Sequence, residues 1–195
     1  MEEVPLQSAH DTLFRSTFAH PAHAASWLGS VLPPEVATAV DWSTLRAAPD
    51  RLIGARLQPH VPDLVFTAAR TDAAEPVVLL IEHKSYPDIE VERQLLRYAV
   101  LLQHHLRRRG VAPALLAVVL RHGAPAHVTK RFPRGDPFEP WQPHLPFVLD
   151  DLTHRDEQRL AARQLTPLAH LTLLCLMQLA HLDAEQVPRT FERWG

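Results

Sequence analysis

Two continuous apolar runs on either side of one long helical segment constrain the fold most. Residues 76–84 read PVVLLIEHK and residues 113–123 read PALLAVVLRHG, and both are rich in Val and Leu, as strands covered on both faces are. Between them the longest predicted helix runs over residues 88–109, and Gly110 ends it. Strand, helix and strand in this order form a βαβ unit, so the 76–84 and 113–120 strands are predicted to be parallel.

The segments before this unit complete a mixed sheet. Residues 51–57 (RLIGARL) and 63–70 (DLVFTAAR) are predicted strands, and a short polar turn makes the second antiparallel to the 76–84 strand. The core order is helix, three strands, helix, strand, which predicts an α/β domain with a mixed sheet. We divide the 195 residues into a core over 8–150 and a C-terminal helical segment over 151–195 that packs on the core.

Helices are predicted toward both ends of the chain. Ser8 and Asp11 have the spacing of a capping box and would begin an N-terminal helix, and Pro21 fits the first turn of a second helix. Residues 145–160 predict a short strand that leads into a helix, and residues 167–182 predict one more apolar helix.

The sequence argues against secreted, membrane-spanning and disulfide-bonded proteins. Cys175 is the only cysteine, so the chain has no internal disulfide and no cysteine-based zinc site, and its apolar neighbours predict a buried side chain. The first residues lack the basic and apolar regions of a secretory signal, and the apolar stretch 167–182 is too short to cross a bilayer. We therefore expect a cytoplasmic protein with no membrane partner.

Motifs of several common enzyme classes are missing as well. A Walker loop and a dinucleotide-binding fingerprint are absent, so no nucleotide cofactor is expected, and no GxSxG motif indicates a serine nucleophile. The thirteen histidines include no HExxH pair. They are predicted to be scattered over the surface rather than to bind zinc.

Basic residues concentrate in one part of a chain whose formal net charge is only −2. Residues 86–135 contain nine Lys or Arg residues against three acidic ones. A basic face on a nearly neutral protein can hold a polyanion locally. The alternative is a solvated helix end and loop, and the sequence leaves both open.

The end of the 76–84 strand carries the candidate catalytic residues. Side chains alternate along a strand, so Glu82 and Lys84 point to one face and His83 to the other. Asp63 begins the neighbouring antiparallel strand, close to where the 76–84 strand ends. The hairpin is therefore predicted to bring Asp63, Glu82 and Lys84 together, although an isolated ExK triplet is more often a solvated strand end.

Two carboxylates beside a lysine suit the hydrolysis of a phosphodiester bond. Asp63 and Glu82 would ligate Mg²⁺, or Mn²⁺ or Ca²⁺, and the main-chain carbonyl of His83 is a further candidate ligand. The metal would lower the pKa of a bound water and polarise the phosphoryl group. Lys84 would orient that water or neutralise charge that develops on the phosphate.

The predicted helix that follows adds polar residues to this region. Gln94 and Tyr98 are four residues apart on one face, with Arg97 beside them and Arg93 one turn earlier. These side chains would support the site or contact the nucleic-acid backbone. A core position for Tyr98 is the open alternative.

The same residues carry a family resemblance. The dipeptide PD at 62–63, followed after nineteen residues by EHK at 82–84, resembles the PD-(D/E)XK nuclease signature, and QLLRY at 94–98 is similar to the Q-x-x-x-Y helix of some branches of that superfamily. The blocks HDTLFRSTF, LLIEHKSYPD, LLRYAV, PFVLDDL and LTPLAHLTLL resemble the Rpn family of recombination-promoting nucleases, also called YhgA-like putative transposases. The resemblance covers residues 8–182.

This resemblance implies a restriction-endonuclease-like fold and a metal-dependent DNA endonuclease, a bacterial hydrolase linked to DNA recombination. It also implies Asp11 as a further candidate metal ligand, although Asp11 equally fits a capping role, and a homodimer, because cutting two strands calls for two sites. Many members carry Gln where this chain has Lys84. Two alternatives stay open: cleavage of RNA, and a catalytically inactive module that keeps the fold and binds nucleic acid or protein.

Overall fold

A computed structural model of the chain describes residues 6–48, 62–86, 88, 90–123, 143–154 and 156–178. The described helices are α1 (Leu6–Phe18), α2 (Pro21–Val31), α3 (Pro34–Thr38), α4 (Val91–Arg107), α5 (Glu157–Ala161) and α6 (Pro167–Gln178). The described strands are β1 (Val40–Ala47), β2 (Leu64–Arg70), β3 (Val77–Lys84), β4 (Ala114–Arg121) and β5 (Phe147–Asp151).

The described strands form one mixed sheet in the order β1-β2-β3-β4-β5. The pairs β1–β2 and β2–β3 are antiparallel, whereas β3–β4 and β4–β5 are parallel. Helix α4 connects the parallel strands β3 and β4, so the predicted βαβ unit and the predicted antiparallel hairpin are both confirmed. The restriction-endonuclease-like α/β fold class is confirmed with them.

The structure departs from the sequence predictions in two places near the N-terminus. Strand β1 (VDWSTLRA) was not predicted, because polar residues and a register shift between Asp41 and Arg46 obscure its alternation. The strand predicted at 51–57 lies outside the described residues. The predicted cap is wrong, since Ser8 and Asp11 lie inside α1, which is already helical at Leu6.

The sheet separates two hydrophobic cores. On one face, which we call the α1 face, β3 residues Leu79 and Ile81 pack with residues of α1, α2 and α6. On the opposite face, the α4 face, Val78 and Leu80 pack with residues of α4. Every other residue of β3 thus belongs to the same core, and continuing this alternation assigns Glu82 and Lys84 to the α4 face and His83 to the α1 face.

The helices after β5 share the core of the α1 face. Leu173 and Leu176 of α6 are fully buried in it, and the Thr172 hydroxyl lies 2.9 Å from that of Thr17 in α1. Cys175 is buried, as predicted. In the part of the chain that the structure describes, no helix has both the length and the apolar character needed to cross a membrane.

Gly123, just after β4, approaches the chain that leaves β3. Its φ is +97°, and a Cβ built on it would lie 2.5 Å from the Ser85 main-chain oxygen. Gly123→Ala should therefore lower the free energy of unfolding by about 1–3 kcal/mol, measured by urea denaturation. Gly110→Ala is the matched control, because Gly110 has a φ of +74° but no atom within 4 Å of the added carbon. Equal costs for the two variants would contradict a role for the contact with Ser85.

Candidate functional site

The candidate site lies where β3 extends beyond its antiparallel neighbour. Pairing between β2 and β3 ends at Leu64 and Ile81, whereas pairing between β3 and β4 continues to Lys84 and Arg121. Within the described ranges, the last three residues of β3 therefore have a strand on one side only. Their main-chain groups on the other side need partners from elsewhere, since a buried unpaired amide is costly.

Asp63, immediately before β2, supplies such a partner. Its Oδ2 accepts the main-chain N–H of His83 at 2.7 Å, and its Oδ1 accepts a hydrogen bond from Nη2 of Arg15 at 2.5 Å. The hairpin thus brings Asp63 to the end of β3, the place expected from antiparallel pairing.

Glu82 and Lys84 point to the same side of the sheet and form an ion pair. Lys84 Nζ lies 2.8 Å from Glu82 Oε1 and 2.8 Å from Asp88 Oδ2, and it donates to Gln94 Oε1 at 3.3 Å. The side chains of Glu82, Lys84 and Asp88 are only 15%, 10% and 11% exposed. The lysine is therefore held by three acceptors in a site with little access to solvent.

Asp88 is a member of this cluster that the sequence interpretation missed. Its Oδ1 accepts the main-chain N–H of Glu90 at 2.8 Å, just before α4 begins, while its Oδ2 faces Lys84. The signal in the sequence was the spacing of four residues between Lys84 and Asp88. Arg15 was missed too, because it reaches Asp63 across 48 residues of sequence.

Burial and mutual charge shift the pKa values of this cluster. Burial raises the pKa of Glu82, the neighbouring charge of Asp63 raises it further, and the hydrogen bond from Lys84 offsets this only in part. Burial alone would lower the pKa of Lys84, but the hydrogen bonds to Asp88 and Glu82 outweigh it and raise that pKa above its ordinary value. Burial likewise opposes ionisation of Asp88, whereas Lys84 and the Glu90 amide hold the pKa of Asp88 below its usual range.

His83 occupies the opposite face of the sheet. Its ring stacks on those of Phe14 and His122, with ring centroids 4.7 Å and 4.9 Å away. Its Nδ1 lies 2.8 Å from Asp11 Oδ1. Burial lowers the pKa of His83, and the carboxylate of Asp11 opposes this only in part. Asp11, a candidate metal ligand in the sequence, is thereby placed at the His83 ring on the α1 face.

The prediction that the histidines are scattered over the surface is wrong for three of them. His10, His83 and His122 are 7%, 5% and 1% exposed and form a row of ring contacts behind the site. They come from α1, β3 and the residue after β4, so only the tertiary fold brings them together. Among the described residues, no group of three or more His, Cys, Asp or Glu side chains is arranged to hold a metal ion.

The four candidate residues of α4 are placed differently from one another. Gln94 contacts Lys84 as described, Arg93 pairs with Glu90, and Arg97 is exposed. Tyr98 is fully buried in the core of the α4 face. The structure therefore favours the core alternative for Tyr98.

Tyr98 also provides a test of that core role. Its hydroxyl has no hydrogen-bond partner among the described residues, and burial raises its pKa to about 12. Tyr98→Phe removes the buried hydroxyl without losing a bond, so the free energy of unfolding should stay unchanged or rise by up to about 1 kcal/mol. Urea denaturation measures the change. A loss of more than 1 kcal/mol would show that the hydroxyl has a partner.

Comparison with known proteins adds a family assignment to this geometry. A family model described as "Putative transposase, YhgA-like" matches residues 8–187. The recombination-promoting nuclease RpnD of Escherichia coli O157:H7 is 24% identical over 127 residues, which are 64% of this chain and 49% of that protein. The recombination-promoting nuclease RpnC of Escherichia coli K12 is 26% identical over 102 residues, 52% of this chain and 34% of RpnC.

A third relative is named differently. The inactive recombination-promoting nuclease-like protein RpnE of Escherichia coli K12 is 25% identical over 125 residues, 63% of this chain and 42% of RpnE. The chain thus spans about half or less of the length of these three relatives. No solved structure matches it.

Proposed function

The chain belongs to the family of YhgA-like putative transposases, and from this premise we propose that it is a metal-dependent endonuclease that hydrolyses phosphodiester bonds in DNA. The observation that carries the proposal is that Asp63, Glu82 and Lys84 come together where β3 extends beyond its pairing with β2. The names of RpnC and RpnD, recombination-promoting nucleases, support the same class of activity.

The donor set at this edge fits a hard divalent cation. The charge of Asp63 raises the pKa of Glu82, and a cation held by both carboxylates would relieve that repulsion. The amide of His83 faces Asp63, and the carbonyl of a strand residue points to the same side as its amide, so that carbonyl would be a third oxygen donor to a bound cation. Two carboxylates and a carbonyl are ligands suited to Mg²⁺, Mn²⁺ or Ca²⁺, with water completing the shell.

Such a cation, when bound, would lower the pKa of a coordinated water and neutralise charge on the phosphate. Lys84 keeps its proton at neutral pH, because Asp88 and Glu82 raise its pKa. It therefore serves as a fixed positive charge toward the phosphate or the attacking water, and not as a general base. Asp88 and Gln94 hold the ammonium group in position.

DNA is the proposed partner, with contacts along the exposed side of α4. Arg93 and Arg97 are exposed one turn apart on the helix that leaves the site, and Arg107 is exposed at its C-terminal end. Arginines arranged in this way bind phosphates without reading base sequence. In the proposed complex a second copy of the chain would serve the second strand of a duplex.

Cleavage of supercoiled plasmid tests the proposal. Purified protein with Mg²⁺ or Mn²⁺ should convert supercoiled DNA into nicked and linear forms, and EDTA should stop the conversion. A labelled RNA in parallel identifies a ribonuclease instead. Absence of cleavage with every cation would overturn the proposed activity.

One observation favours a second candidate, a module that binds DNA without cutting it. Both carboxylate oxygens of Asp63 already accept hydrogen bonds, one from Arg15 and one from the His83 amide. The relative RpnE, named inactive, is similar to 63% of this chain. A gel shift of the plasmid without any nicking would support this candidate.

A further inference from the structure

Arg15 is the residue of the site that no part of the catalytic proposal uses. We propose that Arg15 binds the scissile phosphate. Until a divalent cation binds Asp63, the Arg15 guanidinium stays paired with the Asp63 carboxylate. The inference rests on the proposed function. It assigns to α1 a direct contact with the substrate.

The two ends of the ion pair differ in their freedom to move. Arg15 Nη2 lies 2.5 Å from Asp63 Oδ1, but the arginine side chain is 56% exposed, whereas that of Asp63 is 16% exposed. Asp63 is fixed as well by the amide of His83. When the pair opens, the guanidinium is therefore the group that moves.

The backbone of Arg15 stays in place when the pair opens. Helix α1 is anchored by Phe14, which is fully buried against His83, by the contact between Asp11 and His83, and by the contact between Thr17 and Thr172. None of these contacts involves the guanidinium. A released Arg15 would thus remain at the same edge of the sheet, next to Asp63.

Charge makes the guanidinium and a divalent cation competitors for Asp63. Both would use the same carboxylate, and their positive charges repel each other, so binding of the cation weakens the ion pair. The freed guanidinium presents a planar set of N–H donors that matches a phosphate. A phosphate bound at the site would then be an anion available to the guanidinium.

Lys84 cannot take part in the same exchange. Its side chain is 10% exposed, and its ammonium group is held by Glu82, Asp88 and Gln94 together. Of the two cations that contact the carboxylates of Asp63 and Glu82 in the described part of the chain, Arg15 is therefore the one that can be released. The site would hold one fixed and one movable positive charge.

Calcium binding without DNA tests the first half of the inference. Isothermal titration with Ca²⁺ should show about two- to fivefold tighter binding for Arg15→Gln than for wild type, because the competitor is gone. Arg15→Lys should fall between the two. Arg70→Gln is the matched control, since Arg70 also pairs with an aspartate, Asp72, but at the opposite end of β2. The Ca²⁺ affinity of this variant should equal that of wild type.

DNA binding in the presence of Ca²⁺ tests the second half. By fluorescence anisotropy on a labelled duplex, Arg15→Gln should bind about tenfold more weakly than wild type. The slope of log affinity against log salt should become shallower by about one, as expected for one lost phosphate contact. The melting temperature should fall by no more than about 4 °C, because an exposed ion pair contributes little stability.

Opposite changes, tighter Ca²⁺ and weaker DNA, are the signature of the exchange. If wild type binds and cuts DNA but Arg15→Gln matches it in both affinities, this inference fails and the proposed function stands. If Arg15→Gln weakens Ca²⁺ binding, the exchange is overturned, because Arg15 then supports the metal site instead of competing with it. If wild type binds no DNA with Ca²⁺, the proposed function and this inference fail together.

Discussion

Glu82→Gln is expected to lower the rate of plasmid nicking by at least about 10²–10³-fold with Mg²⁺ or Mn²⁺. The change keeps the size of the side chain and removes the charge that would hold the cation. Lys84 keeps Asp88 and Gln94 as partners, so the fold should survive. The measurement is the initial rate of nicking at saturating metal, with the melting temperature recorded for each variant.

Glu75→Gln is the control for that experiment. Glu75 is an exposed glutamate in the turn between β2 and β3, at the opposite end of the hairpin from the site. It should cut DNA like wild type. Equal cleavage by Glu82→Gln and wild type would show that the activity comes from another site or a contaminant, and a lost activity accompanied by unfolding would not count as support.

Lys84→Met is expected to stop cleavage and to destabilise the protein by about 2–4 kcal/mol. The lysine is the shared cation of two carboxylates, and the side chains of Glu82 and Asp88 are 15% and 11% exposed. Removing one partner of a largely buried ion pair leaves the other charge uncompensated. Urea denaturation in EDTA measures the loss, and the double variant with Glu82→Gln should recover part of it.

The pH dependence of this loss follows from the pKa shifts. The raised pKa of Lys84 means that its contribution to stability is complete below its ordinary value of 10.5 and is lost as pH rises through the raised pKa. The lowered pKa of Asp88 means that its contribution is present above its ordinary value of 3.8 and is lost as pH falls through the lowered pKa. The ion pairs therefore stabilise the wild type fully at neutral pH.

In Lys84→Met, the ionised Glu82 carboxylate destabilises the folded state, whereas the ion pairs of the wild type stabilise it. The pKa of Glu82 is already raised above its ordinary value of 4.5, and without Lys84 it should rise further, so keeping Glu82 ionised costs more stability as pH increases. The destabilisation by Lys84→Met should therefore be larger near pH 7 than near pH 4. A loss that does not depend on pH would show that packing of the lysine stem, and not its charge, stabilises the fold.

Local rules predicted the half of the site that lies on the hairpin. The alternation of side chains along β3 put Glu82 and Lys84 on one face and His83 on the other. Antiparallel pairing then brought Asp63 to the same end of the sheet. Each of these conclusions depends on residues close in sequence or on strands joined by a short turn, where backbone geometry leaves few alternatives.

The remaining part of the site depends on how helices pack on the sheet. Arg15 reaches Asp63 because Phe14 is buried against β3. No periodicity in the sequence determines where α1 packs along the sheet. The same holds for the row of His10, His83 and His122, whose rings come from three elements. Strand β1 was missed for a different reason, since its polar residues suit an outer strand with little burial.

The unequal covering of the two faces of the sheet has a consequence for motion. Helices α1, α2 and α6 interlock over one face, whereas α4 alone among the described helices covers the other. Local opening free energies follow the buried contacts that an element must break, so α4 is expected to detach from its face of the sheet without breaking the contacts among α1, α2 and α6. Because α4 carries Gln94 and follows Asp88, such an opening would weaken the contacts of Lys84 with these two residues while the rest of the fold stays intact. Bound DNA lying across α4 would suppress the opening and would thereby rigidify the lysine that we propose acts on it.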